Sequence, residues 1–302
     1  MLNSVLPSYT GRMTGTIRYL AFLVLPLVAC TKGDRVPAYV EVGSFTLNTT
    51  TEQGAPTQKI TDAWVSVNER LIGVWELPAR IPVLAEGVNT ISVVPAIKRN
   101  GMYDDRLRYP FFQSFQSQVQ LTREGTTTVS PTTSYVSNAS FWIEAFEDPD
   151  FARLNTLPTS DTTLERFTPL SHPELLYIDG SPCGGFRLDA GRPYFGLATD
   201  ENFPPAVGQV FLELDYRNDV PLTVGVLYTS NNISTYDPLV IVTPTVQSGG
   251  YMPWNKIYID LTGFFNSTGL TDRDIYIEAR LATGQTSGSA YIDNFKLVRF
   301  GS

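Results

Sequence analysis

The side chains that most often carry catalysis are scarce in this 302-residue chain, which has one histidine and two cysteines. A Ser-His-Asp triad would need His172, which lies in the loop-like stretch SHPE, residues 171–174, without a G-x-S-x-G nucleophile motif. We expect a surface loop histidine instead. Glycoside hydrolysis needs only two carboxylates, but nothing marks a pair among the 30 acidic residues. H-E-x-x-H, P-loop and cysteine-cluster motifs are also missing from the sequence, and we predict that the protein is not an enzyme.

Aromatic and amide side chains beside predicted loops of the second half offer binding chemistry instead. Sugars stack on exposed aromatic faces, while amides and carboxylates bind sugar hydroxyl groups. These residues predict a glycan platform. The alternative is that the rings pack in the core, as most of the aromatic residues, 12% of the chain, must do. The candidate ligand-binding residues are Tyr228, Asn232, Tyr236, Tyr251 and Trp254.

Cys30 ends an N-terminal segment with a different kind of chemistry. Arg18 precedes the apolar run Tyr19 to Ala29, which is shorter than the roughly 20 residues of a membrane span and fits the apolar region of a secretory signal. The last four residues, LVAC, resemble the lipobox of bacterial lipoproteins. The resemblance implies cleavage before Cys30 and lipid on its sulfur, which anchors a protein stably when two or more chains are attached. The alternative is an ordinary signal peptide with a chance cysteine.

This interpretation divides the N-terminal region into a signal peptide, residues 1–29, and a lipid-anchored tether, residues 30–38. Either Met1 or Met13 fits as the start. Lys32 and Asp34 loosely resemble the charged export signal of surface lipoproteins of Bacteroidota. The resemblance implies an outer-membrane lipoprotein and favours the cell surface over the periplasmic face.

Composition excludes one class of partner. The formal net charge is −8, and nucleic-acid binding depends on neutralising phosphates, so we predict no nucleic-acid partner. Length suggests about two domains, and 42% apolar residues suffice for two cores. Cys183 has no partner if Cys30 is acylated, so no disulfide framework is expected. We expect Cys183 to be a small buried residue rather than a reactive thiol.

The first half alternates short strands with turns. The stretch from Ala63 to Pro95 resembles a PEGA-type sandwich repeat, and this implies an Ig-like spacer of an envelope protein without catalytic residues. We place this domain at residues 39–135, followed by a Ser/Thr/Pro-rich join over residues 130–140. The matching residues are Gly73, Pro78, Glu86, Gly87, Asn89, Thr90 and Ile91.

The second half, residues 141–302, contains several strands in which apolar and polar residues alternate, as they do over 210–217 and 275–281. It opens with Phe146-Glu147 and closes with YIDNFKL, residues 291–297. This pattern resembles the jelly-roll sandwich of many carbohydrate-binding modules. The predicted fold class is therefore all-β, with an Ig-like sandwich followed by a jelly roll.

The same resemblance implies a structural calcium site, in which an acidic residue of the opening strand and the aspartate of the last strand share the ion. The corresponding residues are Glu147 and Asp293. Ca²⁺ takes six to eight oxygen ligands, so backbone carbonyls would have to supply most of them. The alternative is two solvated carboxylates at strand ends. No other cofactor is predicted.

Two functions from different classes fit these observations. In the first, the protein is a non-enzymatic binding or accessory subunit that docks on an outer-membrane protein of an envelope complex. In the second, it is a cell-surface glycan-binding lipoprotein of a carbohydrate uptake or degradation system. A docking subunit should expose a broad apolar patch, whereas a glycan binder should expose a few rings with polar neighbours.

Overall fold

The computed structural model describes residues 36–150 and 153–301. The predicted signal peptide, most of the tether and Cys30 lie outside these residues. Residues 37–302 form one compact unit, which is built almost entirely of β-strands. Within the described residues, the only elements with helical turns are short, and none of them has the length and apolar character needed to cross a membrane. The prediction of an all-β fold made of sandwiches is confirmed.

The first sandwich packs two sheets on one core. One sheet has the order β4-β3-β6-β7, with β8 also paired to β6. The other has the order β5-β1-β9 and continues as the pair β10-β2. The strands are β1 Ala38–Val42, β2 Thr46–Asn48, β3 Asp62–Val67, β4 Arg70–Glu76, β5 Ala79–Val83, β6 Gly87–Lys98, β7 Arg106–Arg108, β8 Phe115–Leu121, β9 Thr126–Val129 and β10 Thr132–Ser134, with a 3₁₀ helix at Thr51–Gln53.

Alternation along the strands builds this first core. Val40 and Val42 of β1 face Val65 of β3 and Val93 of β6, and all four are at most 1% exposed. Residues of the opposite parity stay at the surface, because successive side chains of a strand point to opposite faces. The pairing of β1 with β9 is parallel, so the first and last strands of this sheet lie side by side. The Ig-like assignment of this sandwich stays a prediction.

The second sandwich has a six-stranded and a five-stranded sheet. The six-stranded sheet has the order β13-β14-β21-β16-β19, with β11 paired to the end of β21, and the five-stranded sheet has the order β12-β15-β20-β17-β18. The elements are β11 Ala139–Glu144, β12 Leu154–Thr156, β13 Glu165–Phe167, β14 Cys183–Asp189, β15 Tyr194–Thr199, β16 Val210–Asn218, β17 Leu222–Ser230, β18 Ile233–Val242, β19 Asn255–Asp260, α1 Thr262–Phe265, β20 Thr271–Arg280 and β21 Ser287–Phe300.

The core between these sheets is apolar and aromatic. Leu212 and Leu214 of β16 pack towards Ile275 and Ile277 of β20, and all four are fully buried. Burial of such side chains stabilises a fold by about 1.5–3 kcal/mol each. Alternate residues of each sheet point into this core, and the residues between them form an outer face on each sheet. The two outer faces differ in whether the first sandwich covers them.

The outer face of the six-stranded sheet, which we call the covered face, packs against the first sandwich. Phe211 of β16 and Tyr258 of β19 contact Tyr109, with ring centroids 5.3 and 4.9 Å away. Phe111 packs on Phe300 at 4.8 Å. Aromatic pairs of this kind contribute about 0.5–1.5 kcal/mol beyond their buried area. Phe211 and Tyr258 belong to the core cluster of the first sandwich, so that core extends onto the covered face. The domain limits 39–135 and 141–302 stay a prediction.

Next to these rings, the covered face buries charged side chains. Glu213, which is 0% exposed, accepts hydrogen bonds from the hydroxyl groups of Tyr109 at 2.8 Å and Tyr135 at 2.9 Å. The Nζ of Lys256 lies 3.5 Å from Glu213 and 3.4 Å from Asp215. The two tyrosines belong to the first sandwich and the charges to the second. The network therefore connects the sandwiches through groups that would be costly to bury alone.

The loop after the 3₁₀ helix extends this connection. Thr57 donates its hydroxyl hydrogen to Asp215 at 2.5 Å, and the backbone N–H of Lys59 donates to the Tyr258 hydroxyl at 3.1 Å. Burial lowers the pKa of Lys256, but Asp215 and Glu213 outweigh that effect and hold it above its ordinary value. Lys256 is therefore a buried cation held by two carboxylates.

Lys296 of β21 lies in the same network without an ion-pair partner within 4 Å among the described residues. Its Nζ donates to the Tyr135 hydroxyl at 3.3 Å. Burial lowers the pKa of Lys296 to about 8, partly opposed by the Glu213 carboxylate. The covered face is thus a packed junction that holds several buried charges, and it leaves the five-stranded sheet as the exposed side of the second sandwich.

Candidate functional site

The outer face of the five-stranded sheet, which we call the open face, carries the arrangement of side chains best suited to binding. Strand alternation places on it Tyr194 of β15, Tyr276 and Glu278 of β20, Thr223 of β17 and Tyr236 of β18. The inward residues between them, such as Leu197 and Ile277, belong to the core. A rigid sheet with a buried underside therefore positions every one of these groups.

Two glycines let tyrosine rings lie close to the sheet. A Cβ at Gly196 would lie 2.8 Å from the Tyr194 hydroxyl oxygen, and a Cβ at Gly225 would lie 2.7 Å from the Tyr276 ring. Both distances are shorter than real Cβ contacts allow, so a larger residue at either position would move the ring. Gly225 is paired directly opposite Tyr276. Each glycine thus leaves a shallow depression in which a tyrosine ring lies over the backbone.

Glu278 is the central polar group of the open face. Its Oε2 accepts a hydrogen bond from the Tyr194 hydroxyl at 3.1 Å, and the guanidinium of Arg280 lies 4.4 Å from the centroid of the Tyr194 ring. Burial and the Glu278 carboxylate raise the pKa of Tyr194. Tyr194 therefore keeps its proton, and its ring is held in place from two sides.

Tyr236 is the most exposed ring of the open face. Its side chain is 50% exposed and stands at 76° to Tyr276, with 5.3 Å between the centroids. Tyr276 itself is buried beneath it, and burial, helped by Glu278 and Asp237, raises the pKa of Tyr276 to about 12. Tyr236 is thus an exposed aromatic surface supported by a buried one.

Asp274 follows on the same face, opposite Leu227 in the sheet. It accepts a hydrogen bond from the Thr199 hydroxyl at 2.8 Å. Burial raises the pKa of Asp274 to about 6, and the nearby acids Asp272 and Asp200 add to the effect. With Glu278, this gives the open face two carboxylates that accept hydrogen bonds from hydroxyl groups in the folded protein.

The open face combines aromatic rings with charged hydrogen-bonding groups. Exposed and half-buried rings present π faces, while carboxylates and a guanidinium accept and donate hydrogen bonds beside them. The open face has no nucleophile paired with a base among the described residues.

The predicted glycan-binding residues are only partly brought together. Tyr236 lies on the open face. Tyr228 packs partly inward against the core, 6.1 Å from Phe264, and Asn232 occupies the β17–β18 turn with a φ of 62°. A residue in that conformation is typical of a two-residue hairpin turn.

Tyr251 and Trp254 lie in the loop before β19, a strand of the six-stranded sheet. Tyr251 is 59% exposed. The indole N–H of Trp254 donates to the Leu176 carbonyl at 2.8 Å, and its ring packs on a small cluster that includes Phe167 and Cys183. Trp254 also lines a cavity of about 400 Å³ between this loop and residues 57–59. The structure therefore separates these two aromatic residues from Tyr236.

The predicted calcium residues lie near each other at the edge of the covered face. Asp293 is 1% exposed, and its Oδ2 has no hydrogen-bond partner among the described residues. Burial raises the pKa of Asp293 to about 8, and Asp179, Asp215 and Glu147 add to the increase. The described residues contain no group of three or more His, Cys, Asp or Glu side chains able to hold a metal ion. Calcium at Glu147 and Asp293 stays a prediction that depends on carbonyl ligands.

The nucleophile candidates have structural surroundings. The Nδ1 of His172 lies 2.9 Å from the hydroxyl of its neighbour Ser171, and its ring packs 4.8 Å from Phe167. No carboxylate among the described residues contacts this ring, so no triad is formed there. Cys183 is buried, and burial raises the pKa of its thiol to about 12, which disfavours the reactive thiolate.

The sequence interpretation missed Tyr194, Tyr276, Glu278 and Arg280. A signal for three of them was present, because the stretch IYIEARL, residues 275–281, alternates apolar residues with tyrosine, glutamate and arginine. The outward set of that strand is therefore readable. What the alternation does not reveal is that the outer face of β20 is left uncovered by the first sandwich, whereas that of β16 is covered.

Comparison with known proteins gives a fold likeness only. No protein-family model and no curated protein matches the chain. Among solved structures, the chain is similar to a family 61 carbohydrate-binding module in complex with β-1,4-galactotriose (14% identity over 54% of this chain and 96% of that chain, TM-score 0.32). It is also similar to a family 28 module specific for non-crystalline cellulose (14%, 53% and 92%, TM-score 0.36) and to carbohydrate-binding modules of the β-sandwich superfamily (11%, 78% and 83%, TM-score 0.35).

Proposed function

We propose that the protein binds a glycan on the open face and holds it at the bacterial cell surface through lipid on Cys30. The observation that carries the proposal is a set of side chains on one face of the sheet, in which the exposed Tyr236 ring packs on Tyr276 and the Tyr194 hydroxyl donates to Glu278. Such a group binds the apolar face of a sugar and its hydroxyl groups together. The protein acts as a binding component rather than as an enzyme.

The charges of the open face favour a neutral glycan. Glu278 and Asp274 are acids of this face, whereas Arg280 is the cation placed beside the Tyr194 ring. The whole chain also carries a net charge of −8. Uronic-acid and sulfated polymers are repelled by such a surface at low ionic strength, so neutral hexose polymers are the expected ligands.

Binding is tested with the full chain, tagged after Ser302 and purified in mild detergent, on an array of neutral and acidic glycans. Tyr236→Ala should weaken binding of the best neutral glycan by about tenfold, since stacking on one ring contributes about 1–1.5 kcal/mol. Tyr103→Ala is the matched control, because Tyr103 is a 71% exposed tyrosine of the first sandwich. Equal losses in both variants, or preferential binding of acidic polymers, would contradict the proposal.

A second candidate function is docking on an outer-membrane protein. The observation that favours it is a cavity of about 540 Å³ at one end of the first sandwich, lined by Leu71, Ile72, Val83, Leu84 and Ala85 among others. Leu71 is 46% and Leu84 is 64% exposed, and exposed apolar clusters mark interaction sites. The test is mass spectrometry of proteins that co-purify with the tagged full chain in wild type and in a Leu84→Ser variant. A partner retained equally by both would contradict docking through this cavity.

A further inference from the structure

The chain enters the first sandwich at one end, which we call the entry end. The first residue of β1 pairs with the last residue of β5, and the first residue of β6 pairs with the last residue of β8. The backbone N–H of Glu124, in the turn between β8 and β9, donates to the Pro37 carbonyl at 3.1 Å. Both sheets therefore end together here. The entry end consists of Pro37, the β3–β4 turn (68–69), the β5–β6 loop (84–86) and the β8–β9 turn (122–125), with the strand residues beside them.

Exposed apolar side chains are concentrated at the entry end. Among the described residues of the first sandwich, five large apolar side chains are exposed, and three of them, Leu71, Leu84 and Val88, lie at this end. Val88, the second residue of β6, is 70% exposed. Leu71 and Leu84 line the cavity of about 540 Å³ described above. Exposed apolar groups of this kind mark contact with a protein or a membrane.

The second sandwich lies at the opposite end of the first. Strand β6 has 12 residues, and at a rise of about 3.3 Å per residue it is about 35 Å long. It starts at the entry end, and just after its last residue the backbone N–H of Asn100 donates to the Tyr258 carbonyl of the second sandwich at 2.8 Å. Among the described residues, only residues of the first sandwich line the cavity at the entry end. The entry end therefore faces away from the second sandwich.

The position of Cys30 in the sequence links the entry end to a membrane. Residues 31–37 separate Cys30 from the first residue of β1. A stretch of this length reaches at most about 30 Å when it is fully extended. Because it joins the sandwich at the entry end, lipid on Cys30 would hold this end, with its exposed apolar side chains, close to the bilayer.

The charges of the entry end indicate which force would act there. The exposed charged residues at this end among the described residues are Glu69, Arg70, Glu86, Arg123 and Glu124. The Nε of Arg123 lies 3.0 Å from the Glu86 carboxylate, so one of the two arginines is already paired. Attraction to anionic lipids needs an excess of lysine and arginine, which these residues do not provide. Contact with lipid would therefore depend on the apolar side chains.

We propose that the entry end contacts a lipid surface, with Leu71, Leu84 and Val88 in the boundary between headgroups and acyl chains. Apolar groups of interfacial segments lie about 5–10 Å inside that boundary. This inference depends on the proposed lipid on Cys30, and it assigns the cavity at this end to a lipid surface rather than to a protein. The second sandwich then projects away from the bilayer.

The test places a fluorescent probe at position 84 of the lipidated full chain. Leu84→Cys is labelled with a nitrobenzoxadiazole thiol reagent, and the protein is reconstituted in phosphatidylcholine vesicles with brominated acyl chains. We expect blue-shifted emission and quenching on the order of twofold, because the probe would lie at the depth of an interfacial side chain. Leu170→Cys is the matched control, since Leu170 is a 94% exposed leucine of the second sandwich. Cys183 is buried, and the unsubstituted chain measures background labelling.

A second sample separates the surface from its anchor. Residues 30–302 contain every described element. This chain, with Cys30→Ser and an N-terminal histidine tag, is attached to vesicles that contain a nickel-chelating lipid, and both label positions are compared again. Intact mass and vesicle flotation of the full chain report the lipid on Cys30. If that lipid is absent, the proposed anchor is wrong, while quenching at position 84 of the tagged chain still supports the lipid contact.

Three results would overturn the proposal. The first is equal emission from positions 84 and 170 on vesicles; in a lipidated chain that floats, this result leaves the anchor intact. The second is quenching that disappears at high salt, which would indicate adsorption by charge instead of apolar contact. The third is a shift at position 84 only when an outer-membrane protein is present in the vesicles. In that case a protein occupies the entry end.

Discussion

The two outer faces of the second sandwich follow the same strand alternation but meet different surroundings. On the covered face, Glu213 and Lys296 are 0% exposed, whereas on the open face Tyr236 is 50% exposed. Polar residues occupy outward positions on both sheets. A polar residue at an outward strand position is therefore buried where another part of the chain packs on that face, and is available for binding where no other part does.

This contrast has an energetic side. The covered face satisfies its buried carboxylate with two tyrosine hydroxyls and a lysine, because an unpaired charge there would cost several kcal/mol. The open face has no such requirement, since water satisfies its polar groups until a ligand replaces it. Substitutions on the first face should therefore change stability, and those on the second should change binding.

The largest expected effect is that of Glu213→Ala. The variant leaves the Tyr109 and Tyr135 hydroxyls without their acceptor and removes one of the two carboxylates that hold Lys256. We expect a loss of about 3–5 kcal/mol in the free energy of unfolding, measured by urea denaturation. The control is Glu278→Ala on the open face, which should cost about 1 kcal/mol or less.

A similar loss of stability in the two variants would show that the two faces do not differ as described. A change in the slope of the urea transition for Glu213→Ala alone would indicate that the sandwiches unfold separately once the network is broken.

The second prediction concerns the pH dependence of stability. Asp293 has a folded pKa of about 8 against an ordinary value of 3.8, so the folded state binds more protons between these values and stability falls as pH rises through that window. Lys296 has a folded pKa of about 8 against 10.5, so the unfolded state binds more protons there and stability rises from pH 8 to 10.5. Together the two groups predict a stability minimum near pH 8.

Thermal melts between about pH 5 and pH 10, compared at constant ionic strength, measure this minimum. Asp293→Asn should remove the decrease below pH 8, which is at most about 1.4 kcal/mol per pH unit for one group, and Lys296→Met should remove the increase above it. Asp104→Asn, at an exposed position of the first sandwich, should change neither limb. A profile that is flat in wild type would contradict both assignments.

The strands of the second sandwich could be predicted from the sequence because alternation over 210–217 and 275–281 is a local property. The burial of Glu213 could not, because it depends on tyrosines 104 and 78 positions away in the chain. The predicted join over residues 130–140 shows the same limit. Its composition is typical of a linker, yet it contains β10 and Tyr135, which is 3% exposed and donates to Glu213.

The candidate site shows a related division between local and distant information. Tyr236 is predictable because it follows a turn signal at Asn231-Asn232. Trp254 is a candidate by its type and its loop, but its indole N–H donates to a carbonyl 78 residues away, and no local pattern indicates that contact. Aromatic residues near loops are therefore candidates whose exposure only the packing decides.

The smallest expected change in stability, and the sharpest separation of binding from folding, belongs to Gly196→Ala. The added methyl group would meet the Tyr194 hydroxyl and the Leu157 side chain, at 2.8 and 3.0 Å. Both are ends of side chains that can turn away, so the free energy of unfolding should change by less than about 1 kcal/mol. The Tyr194 side chain, however, must move away from position 196 and lose its hydrogen bond to Glu278. Binding of the neutral glycan should therefore weaken several-fold while the melting temperature hardly moves.

Gly269→Ala is the control, because a Cβ there meets nothing within 4 Å. If Gly196→Ala binds the glycan as wild type does, Tyr194 is not part of the binding surface, and the open face is reduced to Tyr236 and its neighbours.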